Sequence, residues 1–243
     1  MQNLYGKTGR FRSPFDDNSD FKHNELGAEK FINRLIDYLQ PQPHSVMLEL
    51  ACGNGRHALL LASKGFDVTG IDVSIDSISD AKENERENLH FFVHDTRLPF
   101  WVNYFNYAFS FFSSFGNFNT RRAVDNSIRT VAHSLKPNGI FVIDYPNFHF
   151  AEGYPDHQAA IETVNSKALA EDDYHKKMII ESEALEKPLA YQDKEIQFSP
   201  RDFAEMLTHH HMQIQQVFGD DNLNDYYAEK SPGMIIVAKK IVH

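Results

Sequence analysis

One cysteine, one tryptophan and a shortage of positive charge set the first limits on this chain of 243 residues. With Cys52 alone no disulfide can close within the chain, and a reducing compartment is the default. No stretch approaches the ~20 consecutive apolar residues of a membrane-spanning helix, and Met1–Lys7 lacks the apolar centre of a secretory signal. Lys and Arg number 24 against 34 Asp and Glu, a formal net charge of −10. That balance repels a phosphate backbone, and no basic stripe offsets it, because Lys7, Arg10 and Arg12 form only a small group near the start. Internal repeats, low-complexity tracts and heptads are missing too, so no pattern encodes an oligomeric state. These absences predict a soluble, cytoplasmic protein with no membrane and no nucleic-acid partner.

What is present is a chain 42% hydrophobic, enough for one α/β domain with a modest insertion. Residues 1–20 are polar and rich in Gly, Asp and Asn, the composition of a flexible arm. Phe31, Ile32, Leu35, Ile36 and Leu39 recur at helical spacing within a helix over Phe21–Leu39, which Pro41 and Pro43 stop. Strands and helices then alternate as far as Tyr145, the signature of a parallel sheet with right-handed crossovers. The segment from about 147 to 198 breaks that rhythm. Lys176–Glu186 and Tyr191–Phe198 read there as antiparallel strands inserted before a last helix, Pro200–His210.

The most informative stretch is Val46–Ser74. It predicts a buried strand (Val46–Leu50), a glycine turn (Gly53-Asn54-Gly55), a helix (Arg56–Ser63) and a second strand (Asp67–Ile71) ending on Asp72. In such a βαβ unit a tight turn lets backbone approach a ligand and a helix N-terminus aims N–H groups at it. Asp72 stands where a carboxylate can accept both hydroxyls of a ribose, so a nucleoside-bearing cofactor is expected. Gly53-x-Gly55-x-x-Ala58 satisfies the dinucleotide fingerprint, which leaves a nicotinamide cofactor as one candidate. Glu49 in L-E-L-A-C-G-N-G, Arg56-His57 after the loop, and the helix before the unit point instead to S-adenosylmethionine.

On these residues the chain resembles the class I (Rossmann-like) S-adenosylmethionine-dependent methyltransferases. The third strand, Leu89–Val93, runs into His94-Asp95-Thr96-Arg97, where the resemblance gives Asp95 the adenine. The fourth begins Phe105-Asn106, with Asn106 where the family carries Asp, and continues through Phe111-Phe112-Ser113-Ser114-Phe115 towards the methyl group. Leu135-Lys136-Pro137-Asn138-Gly139 is similar to the turn before the fifth strand, Ile140–Tyr145. Met212–Gly219 and Met234–Lys239 are similar to the hairpin that closes the family's sheet. The fold implied is a seven-stranded, mostly parallel sheet with an antiparallel last strand, flanked by helices and carrying a small antiparallel β insertion that covers the substrate. Residues 21–243 would form this single domain.

The resemblance implies S-adenosylmethionine as cofactor, held by Glu49, Ala51, Cys52, Gly53, Asn54, Gly55, Arg56, His57, Asp72, Val73, Asp95, Thr96 and Phe112. Its activated methyl would pass by in-line displacement to an acceptor oriented by Ser113, Ser114 and Tyr5, with Tyr154 a further candidate cover. His149, just beyond the fifth strand, is the candidate general base. Each has a plainer alternative: Asp72 a helix cap, Asp95 a solvated acid, Glu49 a carboxylate bonding the loop, Cys52 a small buried residue, and His149 a surface histidine. Thirteen histidines invite a metal reading, but His209-His210-His211 point in different directions and read as a solvated helix end, so no metal is expected. Exocyclic-amine methylation of bases calls for [N/D]-P-P-[Y/F] after the fourth strand. That place reads F-F-S-S-F-G here, and Asp144-Tyr145-Pro146-Asn147 follows the fifth strand instead. Cytosine-ring chemistry needs a Pro-Cys nucleophile, which the chain lacks. A small-molecule acceptor bearing an amine, hydroxyl or carboxylate is therefore expected. The rival readings are an NAD(P)-dependent oxidoreductase and a non-catalytic cofactor-binding module.

Overall fold

A computed structural model describes residues 18–111, 120–147 and 197–241, with side chains from residue 26 onward. The chain divides into two compact units, Met1–Lys30 with Ala151–Asp193, and Phe31–Phe150 with Lys194–His243. Of the first unit, only the start of a helix is described; the second holds the sheet. The inserted strands expected at Lys176–Glu186 and Tyr191–Phe198 lie outside the described residues except for Gln197 and Phe198, which are not in a strand.

Helix α1 (Asn18–Leu39) begins three residues ahead of the expected start at Phe21. There follow β1 (Val46–Leu50), α2 (Arg56–Ser63), β2 (Asp67–Asp72), α3 (Ile75–Lys82), β3 (Leu89–Val93) and β4 (Phe105–Ser110). After them come α4 (Arg121–Ser134), β5 (Leu135–Pro146), α5 (Pro200–His209), β6 (Met212–Phe218) and β7 (Gly233–Lys240). The seven strands lie in the order β3-β2-β1-β4-β5-β7-β6. The first five are parallel, and β7 and β6 join antiparallel. The order reverses between β1 and β4, so the carboxyl ends of these two strands border the crevice where open α/β sheets take their ligands.

Alternation along the strands divides the core between the sheet's faces. Met47, Val68, Phe91, Phe109, Val142 and Val237 pack under Phe31, Ile32 and Leu35 of α1, Ala58 and Leu61 of α2, and Ile78 of α3. Leu48, Ala108, Phe141, Ile143 and Ile236 pack under Val124, Ile128 and Val131 of α4 and Phe203 and Leu207 of α5. Each fully buried large side chain contributes about 1.5–3 kcal/mol. Phe198, at the end of the expected insertion, belongs to this second layer, its ring 6.1 Å from Tyr145 and 5.7 Å from Phe203.

Polar contacts fix what packing leaves loose. Asn106 keeps the acceptor that an aspartate would supply: its Oδ1 takes the Val46 N–H at 3.0 Å and the Lys136 ammonium at 3.2 Å. β5 starts at Leu135, five residues before the apolar run, because Leu135 pairs with Phe105 across a register shift. The histidine run corrects the expectation of a solvated helix end: His210 is half-buried and its Nε2 lies 2.9 Å from Asp125 Oδ1 on α4. His209 and His211 are exposed.

Helix α5 opens with a capping box. Ser199 Oγ accepts from the Asp202 N–H, and Asp202 Oδ2 accepts from the Ser199 N–H at 2.9 Å and its hydroxyl at 2.6 Å. Those bonds from Ser199, helped by Arg121, lower the Asp202 carboxyl from 3.8 to about 2. A carboxyl depressed on folding stabilises above its ordinary range and loses that contribution as pH falls through its folded value. Ser199→Ala is expected to cost about 1 kcal/mol in urea unfolding near neutral pH. The deficit should shrink as pH falls from 3.8 towards 2; a deficit independent of pH would contradict the linkage.

Candidate functional site

The loop after β1 is set by three residues in the left-handed region: Ala51 (φ 50°), Gly53 (φ 53°) and Gly55 (φ 79°). Gly55 must be glycine twice over, since a Cβ there would collide with the Phe91 ring as well as demand a positive φ. Gly53 differs, because a Cβ on it would meet nothing within 4 Å. Its side-chain position opens onto space, as a backbone cradle for a ligand requires. Gly70 is small for packing: a Cβ would stand 2.7 Å from Phe91 and 2.8 Å from Cys52 Sγ.

Asp72 ties this loop to the sheet. Its Oδ2 accepts the Gly53 N–H at 2.9 Å and its Oδ1 the Ser74 N–H at 2.8 Å. Its carbonyl takes the His94 N–H at 2.8 Å, and Cys52 N–H donates to Ile71 O at 3.0 Å. The helix cap that Asp72 alternatively offered is supplied by Ser74, whose hydroxyl accepts from the Ser77 N–H at 3.2 Å. Asp72 is thus held facing the glycine loop, half-buried, with a lone pair remaining on each oxygen.

Below the loop Glu49 is 2% exposed and pairs across the sheet with Gly70 and Phe109. Its Oε1 lies 3.2 Å from Nδ1 of the buried His57 in α2, while Oε2 has no partner among the described residues. The His57 ring leans on Phe111, 4.8 Å between centroids, and Phe111 stacks on Phe109 at 5.3 Å. Cys52 is buried, and burial with the nearby carboxylates of Glu49 and Asp72 drives its thiol far above the usual range. It remains a neutral thiol.

Past β3, Arg97 grips Asp95: Nε lies 2.9 Å from Oδ1 and Nη2 2.6 Å from Oδ2, and the Arg97 N–H adds a bond at 2.9 Å. The guanidinium hydrogen bond holds the Asp95 carboxyl below its ordinary value. Thr96 is buried, whereas Val73 is 64% exposed. Ile75 and Leu98, 71% and 54% exposed, share this edge of the sheet and were not singled out from sequence. Their signal was an isoleucine opening an otherwise polar helix turn, Ile75-Asp76-Ser77. Phe112, Ser113, Ser114, Tyr5, Tyr154 and His149 lie outside the described residues. Among the described residues no three His, Cys, Asp or Glu side chains converge on a metal position, and no helix is long and apolar enough to cross a membrane.

The arrangement fits an elongated nucleoside carrying an amino-acid tail: an acid with spare lone pairs, an open backbone cradle and a buried carboxylate oxygen lie around one loop. Residues 41–216 match the model of a methyltransferase domain family. The protein YqeM of Bacillus subtilis, named as a methyltransferase, is 33% identical over 114 residues, 45% of this chain and 46% of YqeM. The 23S rRNA uracil-C5 methyltransferase RlmD of Vibrio vulnificus is 30% identical over 86 residues, 34% of this chain and 20% of RlmD. A solved S-adenosylmethionine-dependent methyltransferase from Clostridium acetobutylicum superposes with a TM-score of 0.64 at 13% identity, covering 90% of this chain and 92% of that one. The chain spans less than half the length of these two curated relatives. It belongs to the class I methyltransferase-domain family, whose methyl donor is S-adenosylmethionine.

The two loop glycines predict stability losses of unequal size. Gly55→Ala, clashing with Phe91 in a strained conformation, should cost more than about 2 kcal/mol in urea unfolding, with partial relief by Phe91→Leu. Gly53→Ala should cost only the backbone strain, about 1 kcal/mol. Equal losses at the two positions would contradict the packing assigned to Phe91.

Proposed function

We propose that this chain transfers the methyl group of S-adenosylmethionine to a small-molecule acceptor. The observation that carries the reading is Asp72, clamped by the Gly53 and Ser74 N–H groups beside an open glycine cradle. Its remaining lone pairs are assigned to the ribose hydroxyls, and Glu49 to the donor's ammonium group. Val73 and Thr96 would flank the adenine, with Asp95 held by Arg97 to accept from its amino group. Ala51, Cys52, Asn54, Arg56 and His57 would line the loop side, with the α2 N-terminus favouring the donor's carboxylate by about 0.3–1 kcal/mol. When bound, the donor supplies a sulfonium-activated methyl; the chain's task is orientation, worth ~7–11 kcal/mol of barrier. Phe112 is proposed to contact the donor, Ser113, Ser114 and Tyr5 to orient the acceptor, His149 to take its proton, and the segment from about 147 to 198 to cover it.

A small molecule is favoured over RNA by charge and by Cys52. The chain carries a net charge of −10. Asp144 in β5 and Asp220, Asp221 and Asp225 after β6 add acids at the carboxyl edge, where Gly233 pairs with Pro146. Methylation of uracil C5 by thiol addition needs a thiolate, and the one cysteine here is buried as a neutral thiol. The RNA-directed relative covers only 34% of this chain, a stretch short enough to carry cofactor binding alone.

Calorimetry with S-adenosylhomocysteine and NAD tests the donor. The adenosyl ligand should bind, and Asp72→Ala should weaken it roughly ten- to hundredfold; saturation by NAD alone would sink the reading. Incubation with methyl-labelled donor should then mark compounds in a panel of small amines, alcohols and acids. Label appearing only in RNA or protein would move the acceptor to that class.

A further inference from the structure

We infer that His57 is a positioning residue for the methyl donor, holding Glu49 so that its second carboxylate oxygen receives the donor's ammonium group. The inference rests on the donor reading above. Glu49 is 2% exposed and His57 6%, yet only one of the two carboxylate oxygens meets the imidazole, at 3.2 Å. With Glu49 as acceptor the proton of that bond sits on Nδ1. The other oxygen, Oε2, is buried with no partner among the described residues. A carboxylate left so is costly unless a cation or donor meets it. Neighbouring groups do not supply one: Gly70 and Phe109 flank Glu49 across the sheet, the Cys52 thiol in the adjoining loop is neutral, and the Asp72 carboxylate beside it carries charge of the same sign as Glu49. A ligand ammonium entering over the loop is a group of the right sign and size.

His57 suits this role because its own position is overdetermined. It sits in the first turn of α2, which begins at the steric lock between Gly55 and Phe91. Its ring leans against Phe111 at 4.8 Å, and Phe111 is wedged between Phe109, stacked at 5.3 Å, and the edge of Phe31 at 5.8 Å. A glutamate side chain has three rotatable bonds, and this immobile imidazole selects one carboxylate orientation before any ligand arrives. Such preorganisation lowers the ordering cost of binding. The same aromatic column runs from Glu49 to the end of β4, where the reading places the acceptor, so His57 joins the donor's tail pocket to the wall of the acceptor site.

The experiment compares two ligands that differ by the amino-acid tail. S-adenosylhomocysteine carries the ammonium; 5′-methylthioadenosine keeps the nucleoside and the sulfur but has no tail. In calorimetry, His57→Leu should weaken S-adenosylhomocysteine by about tenfold or more while changing methylthioadenosine by less than about twofold. Glu49→Gln should show the same selectivity, and the double variant should lose no more than either single one. His57→Asn, whose amide can donate near the Nδ1 position, should restore most of the affinity. A merely structural role would weaken both ligands together, and that result, or an unchanged affinity in Glu49→Gln, overturns the inference. Should His57→Leu fail to fold, Glu49→Gln and His57→Asn carry the same comparison. If the unaltered protein binds neither ligand, the donor reading itself fails; if it binds both and the variants do not discriminate, only His57's role falls.

Discussion

The carboxylate of Asp72, shared between the N–H groups of Gly53 and Ser74, is the contact on which the site depends. Within five residues the loop carries three left-handed backbones, one of them on Ala51, which has a Cβ. A non-glycine residue in that region costs on the order of 1–3 kcal/mol and persists only where its surroundings overdetermine it. The surroundings here are few and specific. Asp72 draws Gly53 towards β2, Ile71 O anchors Cys52, and Gly55 donates back to Cys52 O at 2.9 Å. Hydrogen bonds to a charged acceptor are worth about 1.5–3 kcal/mol each, enough to offset the strain and leave the loop rigid. The Asp72 carbonyl also receives His94, so one residue aligns the ends of β1, β2 and β3.

That alignment has a floor. Phe91, fully buried in β3, lies under both Gly55 and Gly70, and its ring occupies the volume their side chains would claim. The glycines are consequently of two kinds. Gly55 and Gly70 admit a neighbour from the core, and Gly53 leaves room above the loop. A sequence motif presents them as one fingerprint, although only Gly53 faces the ligand side.

The strand and helix ends around the loop were legible from sequence to the residue, because apolar periodicity and the Gly and Pro punctuation coincide there. Asp72, closing the second strand, could be read the same way, since it is a local signal. The parts that could not be read are long-range. β5 begins at Leu135 because its backbone pairs with Phe105, and no side-chain pattern records a backbone pairing. His210 reads as a solvated helix end until α4 brings Asp125 to it from 85 residues away. Glu49 was legible as a carboxylate near the loop, but its partner was not, because His57 reads equally well as a ligand contact. Arg97 falls beside Asp95 in the sequence, yet its bidentate grip depends on a turn that spacing alone does not fix.

Where the core keeps polar groups without partners is itself informative. In a layer of Phe, Leu, Ile and Val, a buried hydroxyl or carboxylate oxygen with no hydrogen bond lowers stability by about 1–3 kcal/mol, more if charged. Two of those found among the described residues, Glu49 Oε2 and Ser110 Oγ, sit at the carboxyl ends of β1 and β4. These are the strands that border the topological switch point, and Leu50 and Ser110 stand opposite each other in register. A sheet selected for stability alone would carry apolar residues there, as β1 and β4 do at Leu48 and Ala108. Polar atoms at the crevice instead lower the stability of the free protein in return for partners that a ligand can supply. The same residues that the fold tolerates least without a ligand are therefore those best placed to recognise one.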